Sequence, residues 1–356
     1  MTSKKQAIKQ CELILGNSNK RFSGVTSTML QNFAFQKNKM NTLIMGGHHV
    51  EDKKYVTSFW QLVFLCRGFN NGKWRIYHAR RNNEVVQGFL LKYIFGLKIK
   101  IVFTSTAQRE HSRFTRWLIQ RCDGLLSTCD AAASYLKRKP DNIIAHGIRT
   151  DIYKPATHTK KNIIKEKYGI NTALTCGIFG RVRSQKGVHL FVDACIHSFK
   201  SHTDITALIV GAIKPEDENF VLKLKQKIEN NNLEKRIIFL GEQPFDALPE
   251  LFSIMDLVCA LSNKEGFGLT VLEAMSSQAA VMATHAGAWP EIIRDGTDGK
   301  LVDVNHQSDI NKTFETLIHH PRKMKAMGIN GHQRVNASYQ AHIESQRLCD
   351  YFMTLT

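Results

Sequence analysis

Several features that would fix the class of a protein are missing from these 356 residues. No stretch reaches the roughly 18 to 20 apolar residues that a transmembrane helix needs. The polar, lysine-bearing first ten residues lack a following apolar segment, so we expect no signal peptide. The eight cysteines form no C-x-x-C pair and no metal-like spacing, which favours reduced, buried thiols in a cytoplasmic protein.

Acidic residues are scarce in the first half only. Residues 1–150 hold 25 Lys and Arg against 8 Asp and Glu, a net charge of +17, whereas the remainder has 24 against 23. The 43% hydrophobic content is globular, and the length suits two domains. We expect an anionic partner for the first half, namely a membrane surface, an acidic acceptor or nucleic acid. The alternative is that the charge serves solubility alone.

The motifs of two competing protein classes are also missing. A dinucleotide-dependent oxidoreductase needs G-x-G-x-x-G after its first strand, but only Gly24 closes that loop, and Val271 replaces the third glycine after Gly266 and Gly268. A nucleic-acid-binding protein would explain the charge. The chain has no aromatic residues interleaved with a basic patch and no known module, so we predict no nucleic-acid partner.

The chain does contain a repeated alternation of short apolar strands and helices. Strands are predicted at 11–16, 41–45, 75–78, 100–106 and 122–127, and again at 174–179, 207–211, 236–241, 256–261, 279–284 and 300–302. This alternation predicts an α/β protein with two Rossmann-like, doubly wound domains, which bind ligands beyond the carboxyl ends of their strands. Pro155 and the polar residues 157–162 predict a linker between them.

The stretch 264–275 concentrates the chemistry of the second half. Glu265 and Glu273 stand eight positions apart, with Gly266-Phe267-Gly268 between the first acid and a helix-forming run. The free N–H groups of a helix start favour an anion, and carboxylates beside them are suited to accept hydrogen bonds from hydroxyls. We therefore predict a nucleotide-sugar ligand. Two ordinary surface acids near a packed helix are the alternative.

A second phosphate-binding pattern lies about 80 residues upstream. A predicted strand ends at Phe179, and Arg181 and Lys186 then stand on a glycine-bearing loop before a helix over 188–199. Two cations five positions apart, beside a helix start, predict a clamp for a diphosphate. Two solvated bases on a turn are the alternative.

Polar groups also follow two strands of the first half. Gly24 closes the loop after the first strand, although an ordinary turn glycine explains it equally well. His78, Arg80, Arg81 and Glu84 follow the third strand, where adjacent arginines suit a carboxylate or phosphate. The alternative is a solvated basic loop.

An apolar segment over 85–97 with isolated polar positions is followed by Lys98 and Lys100. It predicts a helix that either lies on a membrane surface or packs in the core.

The Glu265–Glu273 pair resembles the E-x7-E signature of retaining GT-B glycosyltransferases, in particular glycosyltransferase family four. Residues 78–84 are similar to the corresponding stretch of lipopolysaccharide-core mannosyltransferases in that family. The resemblance implies two Rossmann-like domains facing a cleft, with residues 1–155 binding the acceptor and 156–335 binding the nucleotide-sugar. It also implies a C-terminal helix, within 336–356, that crosses back to the first domain.

The resemblance further implies roles for single residues. Arg181 and Lys186 would hold the donor diphosphate, Glu273 the ribose, and Glu265 the transferred sugar. The backbone N–H groups of Gly266, Phe267, Gly268 and Leu269 would assist, the loop of Gln243 would approach the base, and Gly24 would lie near the donor phosphate and the acceptor. Thr106 stands where many members carry a sugar-binding histidine, with His78 and His111 as candidate replacements. Because no Asp-x-Asp occurs, we expect neither a metal ion nor a cofactor.

The same resemblance implies a mannosyltransferase that uses GDP-mannose and an anionic glycolipid or oligosaccharide acceptor, such as the lipopolysaccharide inner core. The alternatives are a UDP-sugar used on another acceptor, and an inactive relative that only binds sugar nucleotides. The expected location is the cytoplasm, with peripheral attachment to the inner face of the cytoplasmic membrane.

Overall fold

The computed structural model describes residues 2–20, 23–68 and 70–356. They divide into two compact units, Met1–Gly147 with Ala341–Thr356, and Ile148–Gln340. Each unit is built around one parallel sheet, as the alternation of strands and helices predicted.

The first unit contains a seven-stranded sheet. Its strands are β1 Leu13–Gly16, β2 Thr42–Met45, β3 Val56–Thr57, β4 Arg75–Ala79, β5 Ile99–Ser105, β6 Gly124–Ser127 and β7 Asn142–Ile143. They pair in parallel in the order β3-β2-β1-β4-β5-β6-β7. Nearly every residue of β1, β2, β4, β5 and β6 is buried, because helices cover both faces of a parallel sheet.

The helices of the first unit are α1 Thr2–Lys9, α2 Gly24–Gln36, α3 Phe59–Leu65, α4 Asn82–Phe89, α5 Arg113–Gln120, α6 Asp130–Ala133 and the C-terminal α15 Ala341–Met353. Ser58 and Gln61 form a capping box at the start of α3. Helix α15 is anchored by the buried Phe352 and by the Tyr351 hydroxyl, which donates a 2.5 Å hydrogen bond to Asp141.

The second unit contains a six-stranded sheet. Its strands are β8 Leu174–Phe179, β9 Ile205–Val210, β10 Ile237–Gly241, β11 Leu257–Ala260, β12 Ala280–Thr284 and β13 Lys300–Val302. They pair in parallel in the order β10-β9-β8-β11-β12-β13. The apolar central strands therefore lie inside the unit, with their carboxyl ends at one edge of the sheet.

The helices of the second unit are α7 His158–Lys167, α8 Val188–Phe199, α9 Glu218–Glu229, α10 Leu248–Ser253, α11 Leu269–Ser276, α12 Trp289–Ile292, α13 Gln307–His319 and α14 Pro321–Ser338. Phe191 and Phe199 of α8 pack against Phe314 of α13, with ring centroids 6.2 and 6.5 Å apart. These fully or nearly fully buried rings belong to the main core of this unit.

Three expectations from the sequence need correction. The polar segment 157–162 is not a linker, since Thr157 accepts a hydrogen bond from the Lys160 N–H and caps α7. The helix predicted over residues 85–97 is helical only to Ile94, and its last turn, Leu90–Ile94, is a π-helical continuation of α4. The sequence also predicts that a short helix opens at Pro321 and ends near Gly328, whereas α14 continues to Ser338.

The first unit ends at Gly147, whereas the sequence placed its boundary after residue 155. Ile148 forms an isolated bridge with Gln340, and the buried Tyr153 packs its ring 5.7 Å from that of Phe252. The Ser276 hydroxyl also donates a 2.5 Å hydrogen bond to the Tyr153 carbonyl. These contacts attach residues 148–155 to the second unit.

Within the described residues, no helix combines the length and the apolar character needed to cross a membrane.

Candidate functional site

The strand order of the second sheet reverses between β8 and β11. From β8 the chain builds outward through β9 to β10, and from β11 it builds through β12 to β13 on the other side. Ligands of doubly wound sheets bind beyond the carboxyl ends of the strands at such a point. Arg181 and Lys186 follow β8, and Glu265 follows β11, so the fold brings these predicted site residues to one place.

Backbone and amide hydrogen bonds join the two loops. The Gln185 side chain donates to the Lys264 carbonyl at 3.0 Å, and the Asn263 N–H donates to the Gln185 carbonyl at 3.0 Å. Gly187 starts α8 with φ +71°, and a Cβ there would lie 2.6 Å from the Leu261 Cβ. Glycine is therefore required for the loop of Lys186 to pack this closely on the end of β11.

Lys186 and Glu265 form an ion pair. The Nζ of Lys186 lies 2.5 Å from Oε2 of Glu265, and the side chains are only 22% and 19% exposed. Glu265 also accepts hydrogen bonds from the Ser262 hydroxyl at 3.3 Å and from the Gly266 N–H at 3.1 Å. Its position is therefore fixed by three donors from two loops.

Arg181 stands apart from this network. Its side chain is half-buried, and within residues 2–20, 23–68 and 70–356 no carboxylate forms an ion pair with it. The Arg181 charge acts on the Glu216 carboxylate at longer range, but without a carboxylate in ion-pair contact the guanidinium retains its capacity to bind a phosphate in a bidentate manner.

The start of α11 is shaped by Gly268. This residue has φ +83°, and a Cβ there would lie 2.7 Å from Cε2 of Trp289 and 2.9 Å from Cγ of Glu265. The Trp289 indole N–H donates to the Gly268 carbonyl at 3.0 Å. Phe267 is 4% exposed, so its side chain belongs to the core, and only its backbone remains for the ligand contact that the sequence predicted. Leu269 then begins the helix.

Glu273 lies on the second turn of α11 and is half-buried. Burial raises the pKa of Glu273 to about 7, while the neighbouring Tyr153 hydroxyl opposes this shift. The charged form is therefore destabilised, and hydroxyl donors of a ligand would restore its stability.

Gln243 lies just after β10, two strands away from β8 in the sheet. Its side-chain amide donates to the Leu240 carbonyl at 2.7 Å. This bond fixes the loop after β10 and uses one donor of the amide.

The first sheet has its own reversal, between β1 and β4. Gly24 begins α2 behind the N-cap Ser23 and is exposed, with open space where a Cβ would stand. Arg81, which follows β4, donates to the hydroxyls of Ser23 at 3.0 Å and Thr26 at 2.9 Å. The half-buried Arg80 has one guanidinium nitrogen without a partner, and burial lowers the pKa of Arg80 to about 10.

The structure contradicts a direct substrate contact for two predicted residues of this unit. Glu84 is fully buried and accepts hydrogen bonds from the N–H groups of Arg80 and Arg81 at 2.8 and 3.1 Å and from the Arg81 guanidinium at 2.8 Å. His78 is 1% exposed, because β4 continues to Ala79 and Phe352 of α15 packs 5.0 Å from the imidazole. Its Nε2 lies 2.7 Å from the Thr104 hydroxyl.

The sequence predicts Thr106 as the last residue of a strand, but β5 ends at Ser105, and Thr106 follows it and is half-buried. His111 is nearly buried, with Nε2 3.4 Å from the Ser105 hydroxyl, and burial lowers its pKa. Sequence reasoning missed Ser262, Trp289 and Tyr153, since nothing in their local sequence indicates the loops that they contact. Among the described residues, no cluster of His, Cys, Asp and Glu forms a metal site.

Comparisons with known proteins agree with the family that the motifs resemble. Residues 160–334 match the family model for glycosyl transferases group 1. The chain is 35% identical over 341 residues, 96% of each chain, to the lipopolysaccharide core biosynthesis mannosyltransferase LpcC of Rhizobium leguminosarum bv. viciae. It is 31% identical over 351 residues to LpsB of Rhizobium meliloti strain 1021, which has the same description, covering 98% of this chain and 99% of that one.

Solved structures agree with the fold. The complex of Anabaena Alr3699/HepE with UDP and glucose matches with a TM-score of 0.83 and 18% identity, over 97% of this chain and 100% of the other. The C-terminal domain of LpcC from Francisella tularensis is 36% identical, with a TM-score of 0.52, and covers 55% of this chain and 99% of its own. Since relatives above 30% identity span almost the whole chain, this protein belongs to the group 1 glycosyltransferases of GT-B fold.

Proposed function

We propose that this glycosyltransferase moves a mannosyl group from GDP-mannose to an anionic glycolipid of the lipopolysaccharide-core type. The observation that carries this proposal is the 35% identity, over 96% of both chains, to a lipopolysaccharide core biosynthesis mannosyltransferase. The net charge of +17 in residues 1–150 supports an anionic acceptor.

In this proposal the donor binds at the strand reversal of the second unit. Arg181, Lys186 and the N–H groups at the start of α11 neutralise the diphosphate, where negative charge grows as the sugar leaves. Glu273 accepts hydrogen bonds from the ribose hydroxyls, and Glu265 accepts them from the sugar. The loop of Gln243 lies near the base.

The transfer itself exchanges one bond for another. The bond between the anomeric carbon and the diphosphate oxygen breaks, and a bond to the acceptor hydroxyl oxygen forms on the same face of the sugar. The proton of that hydroxyl leaves on the diphosphate, so charge and atoms balance. Because the new bond forms on the face that the diphosphate leaves, the anomeric configuration is retained. Fixed cations perform the charge stabilisation, and EDTA insensitivity of turnover tests this part separately.

The acceptor binds in the first unit, beside Gly24 and Arg80. Arg81 holds the N-terminus of α2 through Ser23 and Thr26, and the half-buried Arg80 adds a positive charge at the end of β4. This assignment follows from the strand reversal between β1 and β4.

The direct experiment compares thermal unfolding and product formation with GDP-mannose, GDP-glucose, UDP-glucose and UDP-galactose. A ligand that binds only the folded protein raises Tm by an amount that grows with the logarithm of the ratio of its concentration to Kd. We expect GDP-mannose to give the largest shift and to yield product on a soluble anionic core oligosaccharide. A larger shift and faster turnover with a UDP-sugar would replace the proposed donor.

A UDP-sugar is the second candidate, because a structural neighbour is a complex with UDP and glucose. If a sugar nucleotide binds but is neither transferred nor hydrolysed, the protein is an inactive binding relative instead.

A further inference from the structure

Seven large apolar side chains on three segments of the first unit face solvent. They are Trp60 and Phe64 on α3, Leu90, Tyr93 and Ile94 on the π-helical turn, and Phe114 and Trp117 on α5. Phe64 and Ile94 are 70% and 71% exposed, which is far above the exposure of a core residue. Together we call these seven side chains the aromatic surface.

Ring contacts connect the three segments. Trp60 lies 5.6 Å from Phe95, which directly follows the π-helical turn. On the other side of that turn, Phe89 lies 5.6 Å from Tyr93 and 6.0 Å from Trp117. The stacked pair Phe114–Trp117, with centroids 6.3 Å apart, extends the surface along α5. The aromatic surface is therefore one connected patch of the kind that marks an interaction site.

The sequence that carries the aromatic surface is strongly basic. Residues 56–123 contain 12 Lys and Arg against three acids. Glu84 and Arg75 are buried, and Asp123 pairs with Lys92 and Lys100, which leaves Glu110 as the exposed acid of this segment. Arg113 and Arg121 are exposed at the two ends of α5, and the Arg121 guanidinium lies 4.3 Å from the ring centroid of Trp117. Apolar rings thus lie among cations at short range, contrary to the expectation from the sequence that no aromatic residues are interleaved with basic ones.

We propose that the aromatic surface docks on an anionic lipid bilayer, with its rings in the interfacial region and its cations among the headgroups. Trp and Tyr favour that region because one end of each ring is apolar and the other is polar. Lys and Arg add attraction to anionic lipids. A protein partner of ordinary composition would not need this excess of cations around the apolar rings.

The surface replaces the simpler expectation of one membrane helix over 85–97. Val85, Leu91 and Leu97 are buried in the core, whereas Leu90, Tyr93 and Ile94 point to solvent. The two sets alternate along the segment, since the buried Leu91 lies between Leu90 and Tyr93 in the π-helical turn, and the exposed set lies beside aromatic rings of α3 and α5. The buried set confirms core packing for one face of the segment, and membrane contact of the exposed set is part of the proposal.

This inference deepens the proposed function, because bilayer docking would bring the first unit to a lipid-linked acceptor. Only this link to the acceptor rests on the proposed function, since the surface itself is defined by exposure, ring contacts and charge. Vesicle binding and sugar transfer can therefore fail independently.

The test is co-sedimentation of the full chain with phosphatidylcholine vesicles, with and without about one-third phosphatidylglycerol. We expect binding to the anionic vesicles that weakens with salt, and a blue shift of tryptophan emission. The variant Phe64→Asn/Tyr93→Asn/Ile94→Asn should lower the partition coefficient about ten-fold or more. The matched control Ile163→Asn/Leu222→Asn removes side chains that are 61% and 64% exposed on the second unit, and should bind as wild type does.

Each variant is also assayed for transfer to a soluble oligosaccharide acceptor, on which the triple variant should keep wild-type turnover. Absence of wild-type binding to anionic vesicles, or equal binding by the triple variant, would overturn the proposal. It would also be overturned if sedimentation velocity showed a wild-type dimer that the triple variant dissociates, since the surface would then join two copies of the chain. If the wild type binds anionic vesicles but does not transfer sugar to the soluble acceptor, the result would count against the proposed function alone.

Discussion

The ammonium of Lys186 and the carboxylate of Glu265 meet at 2.5 Å, although 79 positions separate them in the sequence. Each residue follows a different strand, and these two strands are neighbours at the reversal of the second sheet. The fold therefore brings the two side chains together. Because both groups are only about one-fifth exposed, each stabilises the charge of the other against partial loss of water. Removing either one therefore has two effects, one on stability and one on ligand binding.

A double-mutant cycle measures the effect on stability. Lys186→Met leaves Glu265 with its two other donors, and Glu265→Gln leaves Lys186 without a carboxylate. We expect each single variant to lose about 1 kcal/mol of unfolding free energy, and the double variant to lose less than the sum. Chemical denaturation measures this coupling. Strict additivity would show that the pair contributes no interaction energy to the fold.

Arg181→Ala tests the diphosphate clamp with little structural disturbance. Since Arg181 has no ion-pair partner among the described residues, its removal should change unfolding free energy by less than about 0.5 kcal/mol. Loss of one charge-stabilising group should lower kcat/KM for transfer by about 100-fold to 1,000-fold.

Steady-state kinetics with saturating acceptor measures the effect of Arg181→Ala. The control is Arg322→Ala, which removes an exposed arginine from α14. Turnover of Arg181→Ala within a few-fold of the control would remove Arg181 from the proposed mechanism.

The sequence predicted the central strands well because strands buried on both faces are short apolar runs. It missed β3 and β7, which are edge strands of two residues each and leave almost no pattern. The predicted end of α14 near Gly328 was wrong for a packing reason. A Cβ at Gly328 would collide with the Gln278 carbonyl, so this glycine allows close contact inside a continuing helix.

The prediction of the site from the sequence was also incomplete, because it could not include contacts between distant residues. Motif spacing placed Arg181, Lys186 and Glu265 beyond the right strands, because strand ends are visible in the sequence. It did not show which way His78 and Glu84 point. Packing against Phe352 of α15 orients His78, and the Glu84 carboxylate turns back to accept hydrogen bonds from the N–H groups of the two preceding arginines. Contacts made across long separations leave no local signal.

His78→Gln tests its structural role. The variant should lose about 1 to 3 kcal/mol of unfolding free energy at pH 7.5, because Thr104 loses its partner and the packing against Phe352 changes. Donor KM should stay at the wild-type value. A raised donor KM with unchanged stability would instead support a substrate contact.

The pH dependence gives a second readout for His78. Burial lowers the pKa of His78 well below its usual value, so the unfolded chain takes up this proton first as pH falls below 6.5. Wild type should therefore lose stability on acidification by at most about 1.4 kcal/mol per pH unit from this group. The loss should be absent in His78→Gln and present in the control His342→Gln, which changes an exposed histidine of α15.

Glu273 should make both stability and nucleotide binding depend on pH near neutrality. Burial raises the pKa of Glu273 to about 7, so the folded state holds its proton to higher pH than the unfolded chain. Stability therefore falls as pH rises from about 4.5 to 7, by roughly 3 kcal/mol in total. Glu273→Gln should remove this loss and be more stable than wild type at pH 8.

Binding should change in the opposite direction. If ribose hydroxyls donate to the ionised carboxylate, the affinity for a nucleoside diphosphate should rise about ten-fold between pH 6 and 8, following the ionised fraction of Glu273. Calorimetry with GDP and UDP measures this. Glu273→Gln binds the same ligand without the carboxylate, so its profile contains only the titration of the phosphate and of other groups. Parallel profiles for the two proteins would show that Glu273 does not touch the nucleotide, and that its burial serves the packing of α11.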